Sequence, residues 1–278
     1  MLPPELEIQI FESVAKEAPY DAVLRLRLML VARRVRIWIE PLVFECIVFS
    51  RANNWTRLKH IIASKPPDFL ARNVKSVCMP LSTVSTQEAS EILSLCTGAQ
   101  RIACWIDHRE IDTAIPWSIP IQTPALRRLS IELSHFLSLS ASFPAAHLIS
   151  GLTHLELIWW DKHTYPAVLD LAFLRNLTHL ALRGDSRRYQ WPLQMVAGTL
   201  NSCRHLKLLV LLDYGVGDAT LVRLGLRDPR AVLVISEVAL HDWEPKAKRF
   251  HEWEVRLGPE DMWTRGEGMM RRSLPLPL

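Results

Sequence analysis

The phrase Leu-Thr-His-Leu-x-Leu is written at 152–157 and again, 25 residues later, at 177–182. A chain that restates a phrase at fixed period is rebuilding one structural unit, and that constrains the fold more tightly than any local propensity. Reduced to apolar-x-x-apolar-x-apolar, the pattern recurs as Val74/Val77/Met79, Ala99/Ile102/Cys104, Leu126/Leu129/Ile131, Leu152/Leu155/Leu157, Leu177/Leu180/Leu182, Cys203/Leu206/Leu208 and Pro229/Val232/Val234. The intervals are 25, 27, 26, 25, 26 and 26 residues. Each unit supplies a short strand whose second and third apolar residues can be hidden only against the next unit, so the units stack and share one core. The expected architecture is α/β: parallel strands lining one curved, concave wall, with return limbs outside.

The stretches between strands fit that role. STQEASEILSLC (85–96) opens with Ser85 and Glu88 at the spacing of a capping box, and WPLQMVAGTL (191–200) places Pro192 where a first helical turn tolerates it. Pro116, Pro120 and Pro124 exclude a continuous helix between 115 and 124. These units resemble the leucine-rich repeat, in which LxxLxL forms the strand. The resemblance implies a solenoid over 74–240, preceded by a connector and first strand at 46–73 and followed by a cap and loose tail at 241–278.

Residues 1–45 stand outside the repeat. LPPELEIQIFESVAKE puts Leu6, Ile10 and Val14 four apart with Phe11 beside them, which predicts an amphipathic helix. Asp21 can cap a second helix, AVLRLRLMLVARRVRIWI, whose apolar residues are too dense for one buried stripe, and Pro41 closes it or begins a turn. So small a unit with surplus apolar surface calls for a cover. Leu2-Pro3-x-Glu5-Leu6, Ile10-Phe11, the leucine run and Leu30-Val31-Ala32-Arg33-Arg34 resemble the F-box, and LMLVARRVRIWIEPLVF is similar to fungal F-box-like proteins. That resemblance implies docking on a Skp1-like adaptor, and through it a cullin, by Leu2, Pro3, Leu6, Ile10, Phe11, Leu28 and Leu30. The same residues could instead cap the open edge of the repeat array.

Composition narrows the classes of function. Thirty-three basic and 29 acidic residues in 278 leave a net charge of +4, without the concentrated basic stripe of a nucleic-acid binder. Cys46, Cys78, Cys96, Cys104 and Cys203 lack CxxC spacing and read as buried thiols in a reducing compartment. The start of the chain has acidic residues where a secretory signal carries basic ones, and its longest aliphatic run, LLVLL at 208–212, is far below the roughly 20 residues of a membrane span. A cytoplasmic or nuclear protein without membrane contact is expected. No phosphate-binding loop, nucleophile elbow or HExxH occurs, so neither catalysis nor a cofactor is expected.

Side chains alternate along a strand, so three columns should point out of the wall. The first is Ser76, Arg101, Arg128, His154, His179 and His205; the second is Cys78, Ala103, Ser130, Glu156, Ala181 and Lys207. The third is Pro80, Trp105, Glu132, Ile158, Arg183 and Leu209. Because Trp and Arg dominate binding hot spots, Trp105, Arg128, Ile158, Trp160 and Arg183 are the expected footprint of a protein partner. Three histidines on adjacent strands could converge on a metal, but only Glu156 and Glu132 accompany them, and no metal is assigned. The expected function is a non-catalytic, substrate-recognition subunit of a Skp1-cullin-F-box ubiquitin ligase. The alternative is a repeat scaffold with no ligase link.

Overall fold

A computed structural model describes residues 2–17, 22–49, 54–79, 84–105, 125–142, 149, 151–159, 169–183, 193–213, 228–235 and 261–273. Three helices come first: α1 (Pro4–Glu17), α2 (Ala22–Val31) and α3 (Arg33–Phe44). Strand β1 (Cys46–Val48), helices α4 (Asn54–Ile62) and α5 (Phe69–Asn73), β2 (Ser76–Met79), α6 (Thr86–Leu95), β3 (Arg101–Cys104) and β4 (Arg128–Glu132) follow. Then come α7 (Leu133–Ser142), β5 (His154–Ile158), β6 (His179–Arg183), α8 (Leu193–Ser202), β7 (Leu208–Asp213), β8 (Ala231–Ile235) and α9 (Met262–Ser273). The eight strands form one all-parallel sheet in chain order, β1 to β8. The strand order never reverses, and the described helices between strands, α4 to α8, contribute side chains to one shared core against one face of the sheet.

That face holds the main core. Val77, Ile102, Leu129, Leu155 and Leu180 align across β2 to β6 and pack with Trp55 and Leu58 of α4, Ile92 and Leu93 of α6, Phe136 of α7 and Val196 of α8. Each of the five aligned residues is at most 2% exposed, and burying such a side chain contributes about 1.5–3 kcal/mol. The helix predicted over 85–96 forms as α6, with the Ser85 hydroxyl accepting from the Glu88 N–H and the Glu88 carboxylate accepting from the Ser85 N–H.

One hydrogen-bond stitch marks each step of the stack from β1 to β7. The carbonyl of Glu45 accepts the N–H groups of Lys75 and Ser76; that of Lys75 accepts Gln100 and Arg101; that of Gln100 accepts Arg127 and Arg128. Arg127, Thr153 and Thr178 continue the series, the last accepting from Lys207 and Leu208. In the two LTHL units the threonine hydroxyl adds a third donor, Thr153 Oγ1 to the Arg127 carbonyl at 3.0 Å and Thr178 Oγ1 to the Thr153 carbonyl at 3.1 Å. The threonine of the repeated phrase is thus a fastener between units.

The stitch corrects the end of the predicted array. Leu180 pairs with Leu209, not Leu206, and Leu209 and Leu211 point into the main core. Leu206 occupies the place of Leu177, one turn before the strand, so the true triplet is Leu206/Leu209/Leu211. The run CRHLKLLVLL satisfies the pattern in two frames three residues apart, and a constant period of 26 selects the wrong one. The last unit shifts too: Ala231 and Leu233 replace Val232 and Val234 on the core side. Cys203 accordingly lies just after α8 rather than on a strand.

The second predicted helix is also two. Ala32, at φ −160° and ψ 155°, breaks it and turns the chain into α3, and Pro41 sits inside α3 instead of ending it. The carbonyl freed by Pro41 belongs to Ile37, an exposed residue, so water can satisfy it. The break lets α1, α2 and α3 enclose their own small core of Ala15, Val35 and Ile39, with Phe11, Leu28 and Trp38 packed against it. Lys65 reaches Glu40 at 2.7 Å and Phe44 meets Phe69 edge-on at 5.0 Å, joining α3 to the first unit of the array.

Candidate functional site

The face of the sheet opposite the connecting helices begins as the sequence predicts. Ser76, Arg101, Arg128, His154 and His179 form one row, and Cys78, Ala103, Ser130, Glu156 and Ala181 the next. At β7 the frame shift replaces His205, Lys207 and Leu209 with Leu208, Val210 and Leu212. His205 instead lines a cavity of about 280 Å³ with Leu171, Leu174, Cys203 and Arg204. The histidine ladder therefore has two rungs, and the described residues contain no group of three or more side chains able to hold a metal.

Those two histidines stack, ring centroids 4.2 Å apart and planes 7° from parallel. Each Nδ1 lies 2.8 Å from the hydroxyl of the threonine before it, so the residue that fastens the units also orients the rings. Burial beside His179 and Arg128 drives the pKa of His154 down to about 3, leaving it neutral. His179 is lowered by burial as well, against an opposing pull from Glu267, whose carboxylate lies 3.1 Å from Nε2.

Beside the histidines a buried polar chain runs from the residue after β3 across β4 and β5 to β6. Trp105 Nε1 donates to Ser130 Oγ at 2.7 Å, Ser130 Oγ donates to Glu156 Oε2 at 2.7 Å, and Arg183 Nε donates to Glu156 Oε1. Glu156 is wholly buried and Arg183 nearly so. Its hydrogen bonds and ion pair offset the cost of removing this carboxylate from water.

The sequence-predicted footprint is mostly covered. Trp105, Ile158 and Arg183 are 7%, 1% and 5% exposed, so they hold the array together and present little area to a partner. Trp105 and Ile158 pack with Cys78 and Ala103 in a separate small cluster. Arg128 is partly exposed and pairs with Asp261 at 3.1 Å. Trp160 lies outside the described residues, as do Asp21, Pro80, Pro116, Pro120, Pro124 and Pro192.

Sequence reasoning missed what covers the face. Helix α9 lies on it: Met262 and Trp263 are buried with Leu208, Val210, Leu212, Val232 and Val234, and the Trp263 ring meets His154 and His179 edge-on at 5.2 and 5.8 Å. Asp261 caps the helix by accepting from the N–H and hydroxyl of Thr264. Burial disfavours the Asp261 carboxylate, but Thr264 and Arg128 outweigh it and the pKa is lowered. A Cβ on Gly266 would stand 2.9 Å from Val210 Cγ2 and 3.1 Å from Leu208 Cδ2, which shows how closely the helix backbone approaches the strands. A usable signal was the stretch 208–212, apolar at every position and so apolar on both faces of its strand.

On α1 to α3 the predicted adaptor-facing residues divide. Leu2, Leu6, Ile10 and Leu30 are 54%, 45%, 49% and 84% exposed, and Pro3 is exposed as well. Phe11 and Leu28 are turned partly inward, Phe11 against Trp38 at 6.4 Å. Among the described residues, nine of the eleven exposed large apolar side chains lie between Leu2 and Ile37. No helix among the described residues is long and apolar enough to cross a membrane. A scan against protein-family models matches none of them, and a search of curated proteins returns no significant match.

Proposed function

We propose that this chain is a non-catalytic adaptor of the ubiquitin system: an F-box-like helical module that grips a Skp1-like adaptor, and through it a cullin, carrying a curved leucine-rich-repeat array whose concave face holds a protein target. Catalysis is then proximity, raising the effective concentration of a target lysine beside a charged conjugating enzyme. The observation that carries the reading is the concentration of exposed apolar side chains on the first three helices. Leu6, Ile10 and Val14 recur every fourth residue on α1, and Val23, Leu26 and Leu30 fall on one side of α2. Clustered apolar exposure of this kind marks an interaction site. Capping the array accounts for α3, which meets Lys65 and Phe69, and leaves the α1 and α2 stripes without a role.

The test is a pull-down with a purified Skp1-like adaptor. The full chain should be retained, and Leu6→Asp and Ile10→Asp should each abolish retention while keeping a cooperative melt. Absence of specific retention of the unmodified chain would leave a repeat scaffold with no ligase link.

A further inference from the structure

We propose that the sheet face between β4 and β8 is a groove for an amphipathic helix, that α9 fills it as an internal stand-in, and that the target is a helix with the same acid-x-Trp-x-x-Gly-Glu spacing. The inference rests on the target-binding half of the reading above and names the kind of target. The main core contains no α9 residue: the buried apolar side chains of α9, Met262 and Trp263, belong to a second cluster, floored by Leu208, Val210, Leu212, Val232 and Val234. Those five side chains are the rows that carry Ser, Arg, His and Glu on the earlier strands, so the array changes from a polar to an aliphatic surface just where a helix lies.

The contacts have the anatomy of an interface. A tryptophan sits over the stacked histidines, flanked by the pairs Asp261–Arg128 and Glu267–His179, each at 3.1 Å. The glycine at 266 lets the helix approach closely and fixes its register, because any larger residue there meets Val210. Gly268 is different: a Cβ there would meet nothing within 4 Å, so packing does not require it, and it weakens the helix relative to alanine. A weakened helix on the same chain competes as an internal ligand that a better helix can displace.

The experiment uses the full chain and a fluorescein-labelled peptide of residues 259–274, read by anisotropy. Gly266→Leu, which ejects the internal helix, should bind the peptide about tenfold or more tightly than the unmodified chain. Gly268→Ala, which tightens the latch without a clash, should bind it about fivefold more weakly. A Gly266→Leu chain that still unfolds cooperatively but binds no better overturns the proposal. Hydrogen exchange on the unmodified chain supplies a reading independent of any variant's folding. The α9 amides should exchange well ahead of those in β4 to β7, and exchange of α9 only with the whole array overturns the proposal as well. Neither result depends on Skp1: peptide capture without Skp1 retention keeps the groove and removes the ligase link.

Discussion

Arg25 is the residue on which the helical module turns. It is 4% exposed and donates from Nε and Nη2 to the Ala15 carbonyl at 3.1 and 2.8 Å, and from Nη1 to the Leu42 carbonyl at 3.1 Å. One guanidinium on α2 thereby closes the carboxy-terminal turns of α1 and α3, where a cation also suits the helix dipole. Arg25→Ala should cost about 2–3 kcal/mol in urea unfolding, and Arg25→Lys should recover only part, since an ammonium cannot fork. His154 supplies a second prediction. Its folded pKa lies near 3 and its unfolded pKa near the ordinary 6.5, so between those values the unfolded chain binds more protons and acid favours unfolding. His179, Arg128 and Asp261 face it, while Glu267, Arg128 and Lys207 act on His179. The melting temperature should hold above pH 7 and fall from pH 6.5 towards 5, above the range where the carboxylates titrate. His154→Phe should flatten that fall, and an equal fall in the variant would contradict the assignment. The Cys96 and Cys104 thiols, pushed up to about 12 by burial, should resist alkylation in the folded chain.

At the scale of elements, legibility followed the strength of the local signal. The α6 capping box was readable because Ser and Glu at that spacing satisfy two backbone donors at once, and Ser85→Ala should cost about 1 kcal/mol in a thermal melt. Strands β4 to β6 were readable because their leucine and isoleucine positions alternate with mostly polar ones, and β2 and β3 because the period of 25 to 27 residues places them. Strand β7 was placed in the wrong frame because Leu208, Leu209, Val210, Leu211 and Leu212 do not alternate, and only the backbone stitch from Thr178 decides among them. The break at Ala32 left no mark, since Ala-Arg-Arg is good helix sequence and tertiary packing of α3 overrides it. The pair Glu156–Arg183 joins β5 to β6 in the dry interior. Arg183→Leu alone should destabilise by about 3–5 kcal/mol, and adding Glu156→Leu should restore much of the loss, because an apolar pair does not strand a buried charge.

Across the whole molecule the two faces of the sheet divide the labour. One face carries the shared core and the connecting helices; the other carries a buried polar chain from the residue after β3 to β6 and an aliphatic floor under α9. The outward rows were legible from the period of two, but their accessibility was not, because a helix more than 25 residues beyond the last strand is invisible to a repeat pattern. The helical module keeps its exposed apolar stripe at the other end of the chain, where no described element covers it. The most direct test of the adaptor reading is calorimetric titration of a purified Skp1-like adaptor into the full chain and into Leu30→Asp, a change at a side chain 84% exposed that should leave the melting temperature unaltered. Saturable one-to-one binding is expected, weakened about tenfold or more by the substitution. No heat of binding from the unmodified chain, or equal affinity in both, would contradict the adaptor reading.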